Sequence, residues 1–298
     1  PNAIATAPLV TAGKKLAVLM NAGTAHITNL SPYYVRTSFS MWHAGHALGE
    51  AAAKQLGAKT AVVGYTDFPP GKASLAAFKM AFEKNGGKVI DEIPMGGANA
   101  VPDFTPFFQR AKDKKPDVFF VFVPGGDHST AVVRTYNALG MKDAGIKLIG
   151  PGDITQDTKL QPMGQNADGL ITMHHYNADL DNPKNKKFVE DWKKAYGPDS
   201  TPDFMAVGGY DGMAAIVAAI KATGGKLDGD KAVAALKGWK FDSPRGPIQI
   251  DPETRDIIMN EYLSQASFQN GRVVQKNIGK IEAVKDACKE NKIGPCGK

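Results

Sequence analysis

The stretch "VLMNAGTAHITNLSPYYVRTSFSMWHAGHALG", from Val18 to Gly49, contains the pattern that decides the fold. It begins with apolar residues typical of a buried strand, breaks into small polar residues, and ends in a helical pattern. A strand, a turn and a helix together make the repeating unit of α/β proteins. The residues of the turn are Asn21, Ala22, Gly23 and Thr24. Because small residues let the backbone approach a ligand closely, this turn is a candidate binding site.

Short β-branched or aromatic runs alternate with longer amphipathic segments as far as Tyr176. The predicted strands are 15–20, 60–65, 87–95, 117–123, 146–150 and 169–176. Apolar residues at helical spacing predict helices within 71–87, 103–115 and 127–141. This alternation predicts parallel βαβ units with helices on both faces of the sheet.

After Tyr176 the pattern changes to helical segments followed by antiparallel strands. Helices are predicted at 185–197, 206–225 and 230–238, and strands at 247–256 and 260–276, the last being a hairpin turned at Asn270–Gly271. The fold class we predict is therefore α/β, with two Rossmann-like lobes of parallel sheets flanked by helices and a multi-crossover hinge between them.

The composition predicts an ordinary soluble globular protein of about two domains. Of the 298 residues, 43% are hydrophobic and 22% are charged, and the formal net charge is +6. This mild basic excess contains no run of five or more like charges, and aromatic residues do not interleave with Lys and Arg, so nucleic acid is not an expected partner. The longest apolar run found, at 117–126, is far shorter than the 18 or so residues of a membrane span.

The sequence lacks the motifs of phosphate binding and of nucleophilic or metal catalysis. The segment "GKAS" at 71–74 has Ala where a phosphate-binding loop needs Ser or Thr, and no G-x-G-x-x-G, G-x-S-x-G or H-E-x-x-H occurs. His43 and His46 could share a helix face, but no carboxylate lies nearby to complete a metal site. We therefore expect no cofactor, no metal and no enzymatic activity.

Cys288 and Cys296 are the two cysteines, and both lie in the C-terminal tail. Their spacing of eight, with Gly294 and Pro295 between them, favours a disulfide in a short loop and hence an oxidising compartment. Two free thiols remain the alternative, and a zinc site is disfavoured because no His lies nearby.

Ligands of open α/β sheets bind beyond the carboxyl ends of the strands, so the turns after the predicted strands are the places to search. Four such turns are rich in Gly, Pro and small polar residues. They span 20–25, 64–71, 123–129 and 150–157. Turns contain such residues for conformational reasons alone, but four in succession favour a binding cleft.

The order of several motifs closely resembles the leucine/isoleucine/valine-binding family of periplasmic receptors for ABC importers. The motifs include "VLMNAGTAHIT", "YYVRTSFSM", "VVGYTDFPPGKASLAAFK", "KLIGPGD", "ADGLITMHHY" and "FMAVGGYDGM". The resemblance spans essentially the whole chain, and it implies a type I periplasmic binding fold that closes on a small solute.

The resemblance also implies how the chain divides between the lobes. Residues 1–43 and 178–248 would form lobe 1, and residues 44–177 and 249–298 would form lobe 2. Relative to the family pattern the chain begins late, so we expect the first elements of lobe 1 to be missing, and with them some ligand contacts.

Within the resemblance, "AGT" at 22–24 occupies the position where the family binds a ligand carboxylate through backbone N–H groups and a hydroxyl. Asn21 would complete this anion cup. Charge-assisted hydrogen bonds from such donors suit an anionic group.

Other positions depart from the pattern of amino-acid binders. Gly152 occupies the position of the acid that meets the ligand ammonium, and Asp153 follows it. A second expected acid falls near Trp42, Phe68 stands beside a Pro-Pro pair, and Gly125 belongs to a pair that replaces an aromatic residue. Apolar walls would then come from Trp42, Phe68 and, in the other lobe, Met205, while Asp153 would meet an ammonium or a hydroxyl.

These features predict a periplasmic receptor that captures a small carboxylate between two lobes and delivers it to a membrane permease. The ligand is an aromatic acid or a branched-chain or hydrophobic amino acid, and the receptor is expected to be a monomer. A ligand-sensing domain of a regulator and a Rossmann-like enzyme are the alternatives.

Overall fold

The computed structural model describes residues 2–226 and 228–297. The helices are α1 (Asn2–Gly13), α2 (Met41–Lys54), α3 (Pro69–Lys84), α4 (Thr105–Asp113), α5 (Asp127–Ala138), α6 (Asp157–Met163), α7 (Pro183–Tyr196), α8 (Phe204–Thr223), α9 (Gly229–Leu236) and α10 (Ala287–Glu290). The strands are β1 (Ala17–Leu19), β2 (Tyr34–Arg36), β3 (Thr60–Tyr65), β4 (Lys88–Pro94), β5 (Val118–Phe122), β6 (Lys147–Pro151), β7 (Ile171–His174), β8 (Lys240–Ser243), β9 (Gly246–Ile250), β10 (Ile257–Gln269) and β11 (Arg272–Val284). Short 3-10 segments occur at Ala25–Leu30, Gly164–Ala167 and Gly294–Gly297.

A large mixed sheet follows the order β4-β3-β5-β6-β7-β10-β9-β8, and β11 pairs with β10. The pairs from β4 to β7 are parallel, whereas β10 is antiparallel to β7, β9 and β11. β1 and β2 form a separate parallel pair. The predicted α/β class and its parallel strands are confirmed.

β5 illustrates why the parallel strands read as continuous apolar runs. All five of its residues are buried, because helices cover both faces of the sheet. The ring of Phe120 stacks on Phe78 of α3 on one face, and Phe119 meets Phe108 of α4 edge to face on the other.

Two details differ from the sequence-based prediction. β2 and a 3-10 segment lie between the turn at 21–24 and α2, where the sequence predicted only a helix. The strand predicted at 247–256 ends at Ile250, because the Asp251 carboxylate accepts backbone hydrogen bonds from Glu253 and Thr254 and forms a turn. The predicted hairpin turn is confirmed, and both Asn270 and Gly271 have positive φ.

The sequence predicted that no apolar stretch approaches the length of a membrane span, but α8 is long and apolar enough to do so. This helix contains an 18-residue window of mean hydropathy 1.3, which satisfies the length and composition of a membrane span. The same test is passed by core helices, and 39% of this window is buried. α8 also carries the buried Asp211, whose Oδ2 lies 2.7 Å from Nε of Arg245.

β10 pairs along its length with two different strands, β9 and β7. Its first residues, Ile257 and Ile258, pair with β9, and residues 262–265 pair with β7. The lobe boundaries at 1–43, 178–248, 44–177 and 249–298 stay a prediction, and residues 1, 227 and 298 of these ranges lie outside the described residues.

Candidate functional site

In the loop of the predicted anion cup, the last two carbonyl oxygens accept hydrogen bonds from elsewhere in the chain. The carbonyl of Gly23 accepts from the backbone N–H of Met41 at 2.9 Å, and the carbonyl of Thr24 accepts from the Arg36 guanidinium at 2.6 Å. The backbone N–H groups of Ala22, Gly23 and Thr24 and the Thr24 hydroxyl have no hydrogen-bond partner within the described part of the chain. The loop therefore keeps its donors free, which suits a carboxylate.

α8 supports the loop from behind. A Cβ on Gly208 would lie 2.5 Å from the carbonyl oxygen of Met20, so only glycine allows the helix to come this close. Asn21 is exposed, whereas the three residues after it are half-buried. The structure thus places the four predicted cup residues together, at the carboxyl end of β1.

A buried polar network holds the cup from the other side. Arg36 is fully buried, and its Nε lies 3.2 Å from Oδ1 of Asp256. Lys289, from α10, pairs with Asp256 and donates to the hydroxyl of Thr28. Burial lowers the pKa of Lys289, and the nearby Asp256 carboxylate opposes this shift. The C-terminal tail is thereby connected to the backbone of the cup.

A second group of polar side chains lies where β6 and β7 end. Pro151 is in register with Met173, and the N–H of Gly152 donates to the Met173 carbonyl at 3.1 Å. A Cβ on Gly152 would lie 2.3 Å from Cδ2 of His174, so the family's acid cannot occupy this position without a rearrangement. Asp153 comes next and is 7% exposed. Its Oδ2 has no partner among the described residues, and burial raises its pKa to about 7.

His174 lies within an aromatic cluster. Its ring is 4.5 Å from Phe204 at the start of α8 and 5.2 Å from Phe39, measured between centroids. Neither ring nitrogen of His174 has a hydrogen-bond partner in the described residues. Burial, helped by the positive charge of Arg245, lowers the pKa of His174 to about 3. The imidazole is therefore neutral near pH 7.

Gln156 connects the Gly125 turn with the N-terminus of α8. A Cβ on Gly125 would lie 2.4 Å from Oε1 of Gln156, so the turns after β5 and β6 are in contact. Nε2 of Gln156 donates to Oδ2 of Asp203 at 2.9 Å, and Asp203 caps the N-terminus of α8. Met205 follows in the first turn of α8 and is 41% exposed.

Phe68 and Trp42 occupy different surroundings. The Phe68 ring is half-buried and lies 6.0 Å from Phe122 at the end of β5. Trp42 is buried among residues of α3 and the tail, including Ala77 and Cys288. The structure gives Trp42 a packing role there, and the ligand contacts of both aromatic residues stay predictions.

The tail cysteines form the predicted disulfide. Cys288 and Cys296 are bonded, with their Cα atoms 5.8 Å apart. The disulfide packs in one hydrophobic cluster with Trp42 and Ala25. Ala25 is the residue that follows Thr24 of the cup.

Several residues of the site were missed in the sequence. Phe39, Phe204 and Arg36 become site residues only through contacts between distant segments. His174 could have been found from the sequence, because "MHHY" places a histidine pair at the end of a predicted strand. The turn at 150–157, after the preceding predicted strand, was already a candidate ligand position.

The free N–H groups lie after β1, and the unpartnered side chains of Asp153 and His174 lie at the ends of β6 and β7. The carboxyl ends of strands are where α/β proteins bind small ligands, so this arrangement is typical of a solute-binding protein. A family model described as periplasmic binding protein matches residues 1–272, and the chain belongs to this family. The resemblance drawn from the sequence motifs is thereby confirmed.

Three relatives are similar along almost the whole chain. The Leu/Ile/Val-binding protein homolog 6 of Brucella melitensis is 41% identical over 283 residues, which cover 95% of this chain and 72% of the relative. A solute-binding protein of an ABC transporter from Rhodopseudomonas palustris BisB5, solved in complex with 3,4-dihydroxybenzoic acid, is 46% identical with a TM-score of 0.89. Another from R. palustris, solved with 4-hydroxybenzoate, is 39% identical with a TM-score of 0.90. Each alignment with these two structures covers 96% of this chain and 77% of the other.

Proposed function

We propose that this protein is the solute-binding receptor of an ABC importer, and that it captures a small aromatic carboxylate in the periplasm and delivers it to a membrane permease. In this role it binds and releases its solute unchanged, as a monomer. The observation that carries the proposal is the loop at 21–24, in which the carbonyls of Gly23 and Thr24 accept hydrogen bonds while the N–H groups of residues 22–24 and the Thr24 hydroxyl have no partner among the described residues.

The aromatic residues near the second polar group favour a flat ligand. Three rings lie close together here, those of Phe39, Phe204 and the neutral His174 imidazole. Their centroids are 4.5 to 5.6 Å apart. Aromatic pairs of this kind contribute about 0.5–1.5 kcal/mol beyond burial of their area. The two R. palustris relatives, whose structures contain hydroxylated benzoic acids, support the same ligand class.

A hydrophobic amino acid is the second candidate ligand. It is favoured by the name of the Brucella relative and by Asp153, a buried acid that could meet an ammonium. Against it stands Gly152, which occupies the position where the resemblance expects the ammonium-binding acid.

Replacing Thr24 by Val tests the proposal, because it keeps the shape of the side chain and removes the hydroxyl. We expect the affinity for 4-hydroxybenzoate or benzoate to fall by about 1.5–3 kcal/mol, the contribution of a hydrogen bond to a charged group. Isothermal titration calorimetry measures this change. Thr135→Val is the matched control, since the Thr135 hydroxyl donates to the Ala131 carbonyl of its own helix and to no other of the described residues. Equal affinities of wild type and Thr24→Val would remove the Thr24 hydroxyl from the site.

A further inference from the structure

Two buried side chains at the ends of β6 and β7 lack the hydrogen-bond partners that their burial requires. Asp153 is 7% exposed and His174 is 5% exposed. Oδ2 of Asp153 and both ring nitrogens of His174 make no hydrogen bond with the described residues. Burying such groups unpaired is unfavourable, so a polar partner from outside the chain would stabilise both.

The register of the sheet places Gly152, the residue before Asp153, beside His174. Pro151 and Met173 are partners in parallel strands, so Gly152 and His174 are the next residues at the same edge. The glycine has no side chain, and the Gly152 position lies in contact with the His174 ring. Asp153 therefore follows directly after the closest approach of the two strands.

The His174 ring packs against two other aromatic rings. Phe39 meets His174 edge to face, and Phe204 lies tilted against it. Phe39 and Phe204 also contact each other edge to face, with centroids 5.6 Å apart. A partner that reaches the pair must therefore carry its polar group on a flat apolar body.

The protonation states define which polar group fits. A neutral imidazole has one N–H donor and one acceptor nitrogen, and a carboxylate only accepts. A phenolic hydroxyl donates one hydrogen bond and accepts others, so it can pair with Asp153 and His174 together.

We propose that Asp153 and His174 form a recognition pair for the ring hydroxyl of the ligand, so that the receptor selects hydroxylated aromatic acids over unsubstituted ones. The hydroxyl donates to Oδ2 of Asp153 and accepts from the His174 imidazole, while the carboxylate of the same ligand occupies the cup at 21–24. This inference rests on the proposed function and deepens it by naming the ligand class.

Calorimetric titration of the full chain with 4-hydroxybenzoate, benzoate, 4-methoxybenzoate and leucine tests the pair. We expect wild type to bind 4-hydroxybenzoate at least about tenfold more tightly than benzoate, as for a hydrogen bond to a charged acceptor. 4-Methoxybenzoate keeps the acceptor oxygen but has no donor, so it should lose most of this preference. The comparison uses only the wild-type protein and therefore holds even where a variant fails to fold.

Asp153→Asn and His174→Phe then assign the preference to the pair. In each variant the ratio of the two dissociation constants, benzoate over 4-hydroxybenzoate, should fall to within about threefold of unity. Asp181→Asn, which changes an exposed acid paired with Lys186, should keep the wild-type ratio.

The outcomes separate this inference from the proposed function. Equal binding of benzoate and 4-hydroxybenzoate by wild type, or a full preference in both variants, would overturn the pair while leaving the receptor role intact. Tight leucine binding that is lost in Asp153→Asn would assign the acid to an ammonium instead. If no carboxylate binds to wild type, the proposed function itself fails.

Discussion

Glu261 is fully buried in β10, and neither of its carboxylate oxygens has a hydrogen-bond partner among the described residues. Burial raises its pKa to about 8, although the positive charge of Arg245 opposes the shift. The folded protein therefore keeps this proton over a range of pH in which the unfolded chain has lost it. Its contribution to stability is present at low pH and is lost as pH rises toward 8.

Glu261→Gln removes this titration while keeping the size of the side chain. As pH rises, the free energy of unfolding of the variant should increase relative to that of wild type by about 1.4 kcal/mol per pH unit. Between pH 5 and pH 7 the difference amounts to roughly 2–3 kcal/mol. Urea unfolding of both proteins at several pH values measures this difference in free energy. The contributions of the other buried acids are the same in both proteins and cancel. Glu282→Gln, on the exposed side of β11, should show no such trend. A constant difference between Glu261→Gln and wild type would mean that Glu261 is already ionised in the folded protein.

α10 acts on the cup through three successive contacts. Lys289 pairs with Asp256, Asp256 pairs with Arg36, and Arg36 donates to the carbonyl of Thr24. The disulfide keeps α10 beside Trp42 and Ala25, so the tail fixes one side of the loop. Removing the disulfide should consequently weaken ligand binding as well as stability.

The double variant Cys288→Ser/Cys296→Ser measures both effects. For so short a loop the chain-entropy relation gives about 2–3 kcal/mol of lost stability. We expect the dissociation constant for 4-hydroxybenzoate to rise about three- to tenfold, since the loop loses one of its supports. Thermal unfolding and calorimetry provide the two readouts, and a reducing agent should have no further effect on the double variant. An unchanged dissociation constant would show that the cup is held without the tail.

The elements that the sequence predicted well are those specified by local pattern. β3, β5 and β6 are buried on both faces, and their continuous apolar runs set them apart from the amphipathic helices around them. β2 was missed because three residues between two turns carry too little periodicity. Phe204 and His174 are thirty residues apart in the chain, and their contact depends on how α8 packs, which no local pattern specifies.

At the scale of the whole molecule, one hydrophobic core includes residues from both predicted lobes. Val35 and Phe204 belong to it together with Phe78 and Phe120. β10 adds backbone hydrogen bonds to β7 and to β9, so the two ends of the sheet are stabilised together. Such coupling favours cooperative unfolding.

Differential scanning calorimetry should therefore show a single transition. With 4-hydroxybenzoate at 100 times its dissociation constant, the free energy of unfolding should increase by about 2.7 kcal/mol, and the transition should move to higher temperature as one peak. Two separated peaks, of which the ligand moves only one, would indicate lobes that unfold independently.

The pairing of β10 with β11 shifts register twice, between Met259 and Glu261 and between Leu263 and Ser264. Bulged pairing increases local bending and twist, and here it lies where β10 leaves β9 and meets β7. The sheet is consequently bent and twisted at this strand. A distance measured between labels on β4 and β8 would then report the curvature of β10, and capture of a solute could be followed as a mechanical change in a single strand.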